Sequence, residues 1–152
     1  MSEISVQAED FEVGREIAAL SAADAGAGAV ASFVGLVRGG EVAAMTLEHY
    51  PGMTEKALAE IVAQARARWQ LRRVRVIHRI GRLLPGDNIV FVGIAAAHRG
   101  DAFAACEFIM DYLKTRAPFW KKEETPSGAR WVDARETDDT AAQRWSGAQA
   151  PV

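Results

Sequence analysis

The chain has 152 residues, 49% of them hydrophobic and 25% charged, with a formal net charge of -2. This length and composition fit one soluble globular domain with a real core, excluding disorder except at the ends, and the charge argues against general nucleic-acid binding. The N-terminus has no basic segment followed by an apolar stretch, and no apolar run approaches membrane-spanning length, so a cytoplasmic protein independent of membranes is expected.

Residues 4–8 alternate as a short strand, and Val13, Ile17 and Leu20 mark a short helix before an Ala/Gly stretch at 22–28. Residues 30–37 form a nearly continuous apolar run. Residues 42–50 read as a strand with Met45, Leu47 and His49 on one side, and the Gly39-Gly40 pair between the two suits a hairpin turn. Pro51 and Gly52 break that strand, after which Leu58, Ile61, Val62, Ala65 and Trp69 define the stripe of a long helix. Val74, Val76, His78 and Ile80 share a face of the next strand. The Pro85-Gly86-Asp87 turn separates it from 89–94, whose unbroken apolarity implies a strand covered on both faces. Asp101 is placed to cap a helix over 102–116, and Pro118 stops it. The Pro126-Ser127-Gly128 turn joins two final strands, and the polar tail from about residue 137 is expected to fray. With no internal repeat, linker or low-complexity segment, one α+β domain over 1–152 is expected.

The residues that carry chemistry gather late in the chain. DYLKTRAPFWKK, at 111–122, sets Lys114, Arg116, Lys121 and Lys122 around Phe119 and Trp120, a composition suited to holding an anion. On the preceding helix Phe103, Cys106, Met110 and Leu113 form a stripe expected to face the core. Lys114 follows Met110 by four and Phe103 by eleven, which puts it at the margin of that stripe. Its stem can cover apolar surface while the ammonium reaches water, or the amine can be partly desolvated and shifted toward a useful pKa. Phe119 and Trp120 can wall an anion pocket or serve as core aromatics.

Arginines 66, 68, 72, 73, 75, 79 and 82 read as solvated faces of a helix and a strand, with a surface for an acidic partner as the alternative. His78 alternates with apolar residues as a hydrogen-bonded core imidazole would; His49, beside Glu48, is undecided. His98 ends the most buried strand and, with Arg99, precedes a helix, a position where free N–H groups can meet phosphate, although loop polarity alone also explains it. Cys106 is solitary, so no disulfide framework or multi-cysteine metal site is available, and a buried, inert thiol is expected. The absence of HExxH, P-loop and GxGxxG spacings argues against zinc, nucleoside triphosphates and dinucleotides, and no cofactor is expected.

LEHYPGMTEKAL at 47–58, HRIG at 78–81, AHRGDAF at 97–103 and FIMDYLKTRAPFWK at 108–121 closely resemble the catalytic large subunit of molybdopterin synthase, over about residues 30–135. The resemblance implies an α/β hammerhead-like domain with an additional antiparallel sheet. It implies a sulfurtransferase that converts cyclic pyranopterin monophosphate, or precursor Z, to molybdopterin. Each sulfur would come from the thiocarboxylated Gly-Gly tail of a small ubiquitin-like subunit, in a heterotetramer built on a dimer of large subunits. It carries the key catalytic lysine onto Lys114 and a second onto Lys121, and a substrate-binding set onto Arg38, His98 and Arg99, with Phe33, Met110 and Arg135 at further pocket positions. The chain departs from the family in its short Arg38-Gly39-Gly40-Glu41 connection, where a longer polar loop is common.

A thiocarboxylate and a phosphorylated pterin are both anions, so bringing them together requires several cations in a water-poor pocket. Lys114 can act there as general acid or base, or capture the partner's acyl group, with Lys121 supporting the same charge. Arg38, His98 and Arg99, at the ends of two apolar strands expected to be neighbours, would converge on one phosphate. Two other classes remain: a non-catalytic paralogue that keeps the anion pocket and partner surface, and a Schiff-base lyase using Lys114.

Overall fold

Two four-stranded sheets organise the computed structural model, which describes residues 3–132 and 136–147. In chain order the elements are β1 (Ile4–Gln7), α1 (Val13–Ser21), β2 (Ala29–Leu36), β3 (Ala44–His49), α2 (Met53–Arg68), β4 (Leu71–Arg79), β5 (Gly81–Leu83), β6 (Asn88–Ala96), α3 (Arg99–Arg116), β7 (Phe119–Thr125), β8 (Gly128–Val132) and α4 (Glu136–Gly147). The first sheet has the order β1-β4-β6-β2 and the second β5-β3-β7-β8. β1 and β4 run parallel, and the other pairings are antiparallel.

β6 lies inside the first sheet and is buried from Val90 to Ala96, as its unbroken apolarity requires of a strand covered on both faces. On one face, Leu58, Ile61 and Ala65 of α2 and Ala105 and Ile109 of α3 pack over Val74, Val76, Val92 and Ile94. On the other, Leu20 of α1 and Phe11 cover Ile77, Phe91 and Ala95. A smaller core of Val37, Met45, Leu47 and Leu83 lies under the second sheet. No described helix is long and apolar enough to cross a membrane.

Several local expectations change. β2 and β3 belong to different sheets, so Gly39-Gly40 does not close a hairpin. Val37 N–H instead donates to the Asp87 carbonyl (2.9 Å) and Gly86 N–H to the Val37 carbonyl (2.9 Å), which carries the chain along the 84–87 turn and across to the second sheet. The strand expected to include Ile80 ends at Arg79; Gly81, at φ 90°, turns the backbone into β5 of the other sheet. His98, not Asp101, is the N-cap of α3, with no side-chain cap, and Asp101 sits in the first turn, where a carboxylate complements the helix dipole. The polar stretch from 137 lies largely within α4 rather than in a frayed tail. Ala142 is buried, and the Trp145 indole N–H donates to Asp111 Oδ2 at 2.6 Å while its ring meets Trp69 and Phe108 edge-on. Ala142 and Trp145, with the Arg68 guanidinium donating to the Trp145 carbonyl at 3.1 Å, help dock a helix whose composition is otherwise polar.

The arginine run fastens the first two dozen residues and both helical flanks. Arg66 pairs with Glu3 (2.7 Å), Arg72 forks onto both oxygens of Asp24 (2.7 Å each), and Arg75 pairs with Glu16 (3.1 Å). Arg73 donates to the Ala19 carbonyl (2.7 Å), and Arg79 donates to the Ala8 and Asn88 carbonyls. Arg68 lies 4.7 Å over the Phe108 ring and Arg82 forks onto Glu124. These guanidinium groups are engaged within the chain, and Arg75 and Arg79 are largely buried, so internal pairing replaces the solvated faces expected for them.

Candidate functional site

β2 and α3 wall a groove of about 720 Å³, with Phe33 on the strand side, Phe103, Glu107, Met110 and Lys114 on the helix side, and Trp145 of α4 beside them. The four helical residues are spaced by four, three and four, so they form one stripe along α3. Phe103, expected to face the core, is 65% exposed. It stands about 100° round the helix from the buried Ala102 and so falls on the groove side. The marginal position read for Lys114 holds, since it shares the groove with Phe33 and Met110. Glu107, Asp111 and Trp145 were missed as groove residues. The spacing of Glu107 from Phe103 and Lys114 was the available signal; Trp145 had none, because its place depends on α4 folding back.

The four cations of 111–122 do not form one cluster. Arg116 turns onto the Tyr112 ring, 3.9 Å from its centroid. β7 then alternates: Lys121 faces the side of Leu47 and Met45, whereas Trp120 and Lys122 face the opposite side, with the Lys122 ammonium 5.8 Å from the Trp131 ring. Lys114 and Lys121 converge electrostatically on His78. That imidazole is 4% exposed, its Nδ1 is 2.8 Å from the Arg79 carbonyl oxygen, and its ring stacks on Phe119 at 3.7 Å and 18°. Nδ1 beside a carbonyl must carry the proton. Burial, with the charges of Lys121, Lys114 and His49, pushes the pKa down to about 4 against the pull of the Arg79 carbonyl. His78 is therefore the hydrogen-bonded core imidazole expected, held neutral by its surroundings, and His49, undecided in the sequence, is a half-buried neighbour of the same centre.

Arg38, His98 and Arg99 are exposed and do not meet within one chain. β2 and β6 are neighbours as expected, but antiparallel, with Ala29 opposite Ala96 and Leu36 opposite Asn88. Arg38, beyond the end of β2, thus lies by the start of β6, whereas His98 and Arg99 follow its end, roughly 30 Å away along the strands. α3 spans about 27 Å, beginning at His98-Arg99 and ending with Lys114 in its last turn. Arg135 lies outside the described residues. Cys106 also borders the groove, where burial and the charge of Glu107 push its thiol up to about 11. A thiol that stays protonated is a poor nucleophile.

The comparisons with known proteins agree with this architecture. The family described as MoaE protein matches residues 6–116. The molybdopterin synthase catalytic subunit of Escherichia coli (strain K12) is 62% identical over 148 residues, covering 95% of this chain and 98% of the relative. That of Ralstonia nicotianae is 62% identical over 149 residues, covering 95% of this chain and 85% of the relative. Among solved structures, the molybdopterin biosynthesis MoaE protein from Burkholderia ambifaria has a TM-score of 0.83 at 62% identity, covering 96% of this chain and 99% of that one. A molybdopterin synthase from Staphylococcus aureus has a TM-score of 0.80 at 29% identity, covering 88% and 98%. With the family match spanning most of the chain and such relatives matched nearly end to end, this chain belongs to the MoaE protein family.

Proposed function

We propose that the chain is the catalytic subunit of a molybdopterin synthase, which moves sulfur from the thiocarboxylated C-terminus of a small partner subunit onto cyclic pyranopterin monophosphate, with the cytoplasm as its expected compartment. The observation that carries the proposal is the groove holding Lys114 with Phe33 and Met110, in a chain so closely related to subunits bearing that name. An open, elongated groove suits an extended peptide tail, and Lys114 stands where that tail can present an acyl carbon. In this reading Lys114 serves as acid, base or acyl acceptor, and Lys121 supports the negative charge of donor and substrate. Cys106, held protonated, leaves the sulfur to the partner.

Arg38, His98 and Arg99 enter as a phosphate-binding set shared between two copies of the chain, and Arg135 joins them as a further substrate contact. Supporting this is the separation of Arg38 from His98-Arg99 within one chain, which a second copy related by a two-fold axis can cancel. A homodimer with a small subunit bound to each half follows. The test is to combine the protein with a thiocarboxylated small subunit and the cyclic pterin and assay molybdopterin. Wild type should form product; Lys114→Ala should stay folded and lose at least about 100-fold in turnover, as removal of a proton-transfer or acyl-accepting group does. Near-wild-type turnover in that variant would overturn the assignment, and borohydride trapping with a carbonyl substrate would point instead to a lyase.

A further inference from the structure

Among the described residues the buried polar side chains are Thr54 and His78. Burying such groups is unfavourable unless each is satisfied, so their positions call for a reason. They act on consecutive residues. The Thr54 hydroxyl, fully buried on α2, donates to the Pro118 carbonyl at 2.9 Å and accepts from Tyr50 N–H at 3.0 Å. The His78 ring, from β4 in the other sheet, stacks on Phe119 at 3.7 Å. Pro118 and Phe119 form the corner at which the chain leaves α3 and enters β7. Lys114 lies four residues before that corner and Lys121 two residues after Phe119.

We propose that Thr54 and His78 are positioning residues for sulfur transfer: gripping Pro118 and Phe119 from two sides, they set the spacing between Lys114 and Lys121. The inference rests on the reading of those lysines given above. α3 cannot pass directly into β7, because Ala117 already has extended backbone and Pro118 lacks an N–H to continue the helix. The angle of the corner is therefore left to contacts from outside. Thr54 fixes it through a hydrogen bond tied in turn to the end of β3, and His78 through a ring face held in plane by the Arg79 carbonyl. Small errors in such an angle move Lys121 against Lys114, and displacement by about 1 Å can slow a reaction by about 100-fold.

The test compares conservative and disruptive variants at both positions. Thr54→Ser keeps the hydroxyl and His78→Phe keeps the ring stack; both should hold kcat within about threefold. Thr54→Val and His78→Gln should lower kcat by roughly tenfold to hundredfold, while KM for the cyclic pterin and Kd for the small subunit change less than about twofold. A purely structural role would instead lower stability and raise KM and Kd together. Competitive acetylation across pH, read peptide by peptide, gives a measure independent of turnover: the profiles of Lys114 and Lys121 should shift in Thr54→Val and His78→Gln, with exposed Lys56 as an unchanged reference. Unaltered lysine profiles and unaltered kcat in a folded Thr54→Val protein overturn the proposal, and should His78→Gln fail to fold, Thr54→Val decides alone. If the wild type makes no molybdopterin, the synthase reading fails, and the acetylation profiles still decide whether the corner positions the lysines.

Discussion

His78 joins the stability of the fold to pH. Its folded pKa of about 4 lies below the ordinary 6.5, so the unfolded chain binds a proton first as pH falls. The stability it contributes is complete above pH 6.5 and drains away down to pH 4, with about 3 kcal/mol lost across that window. Asp24 and Glu124 are held below their usual values by Arg72 and Arg82, so their contribution disappears at lower pH. Thermal melts between pH 7 and 4 should show a falling midpoint in the wild type and a much flatter line in His78→Phe. The core position of His78 was legible in the sequence from its place among valines and isoleucines. The role of Thr54 was not, because its acceptor is 64 residues away and no local pattern encodes such a partner.

At the scale of elements, α4 shows how little sequence a docked helix needs. Trp145 meets two aromatic rings, donates to Asp111 and lies beside the groove, so Trp145→Ala should lower stability by roughly 1–3 kcal/mol, less than a fully buried Trp would. Denaturant titration would measure the loss, and near-UV circular dichroism would report release of Trp69. Periodicity found β1 to β4, β6 and α1 to α3, because apolar spacing is a local property that the folded chain must respect, and it missed the polar α4. It did not separate β5 from β4 or exclude a hairpin at Gly39-Gly40, since pairing partners are chosen by the whole sheet. For the same reason the helix stripe was read correctly at Cys106, Met110 and Leu113 and wrongly at Phe103, where the groove opens.

For the whole molecule, the antiparallel run of β2 beside β6 sets the most direct test of assembly. If Arg38 of one copy works with Arg99 of another, two inactive variants should complement each other. In a mixed dimer of Arg38→Ala and Arg99→Ala chains, one site loses both groups and the other keeps both. Random mixing should then restore about a quarter of wild-type activity, since half the dimers are mixed and each has one intact site. No recovery would mean that Arg38 and Arg99 do not serve one site from different copies. The candidate residues could be named from the sequence, but the placing of Arg38 and of His98-Arg99 at opposite ends of the first sheet could not, because strand direction does not appear in composition or spacing.

The arginine fastening of the N-terminal segment bears on the order in which the molecule comes into being. β1 is an edge strand whose one partner is β4, and Glu3, Asp24 and Glu16 find their guanidinium partners at 66, 72 and 75. During synthesis Glu3, Glu16 and Asp24 lack these partners until the ribosome has made and released the stretch that carries Arg66, Arg72 and Arg75. They must close a long loop onto strands that already hold each other. The beginning of the chain is thus expected to be the last part to settle and the first to open. In pulsed hydrogen exchange the amides of β1 should gain protection after those of β6 and β4, and in native-state exchange they should lose it before them; β1 amides protected as early and as long as those of β6 would contradict this order.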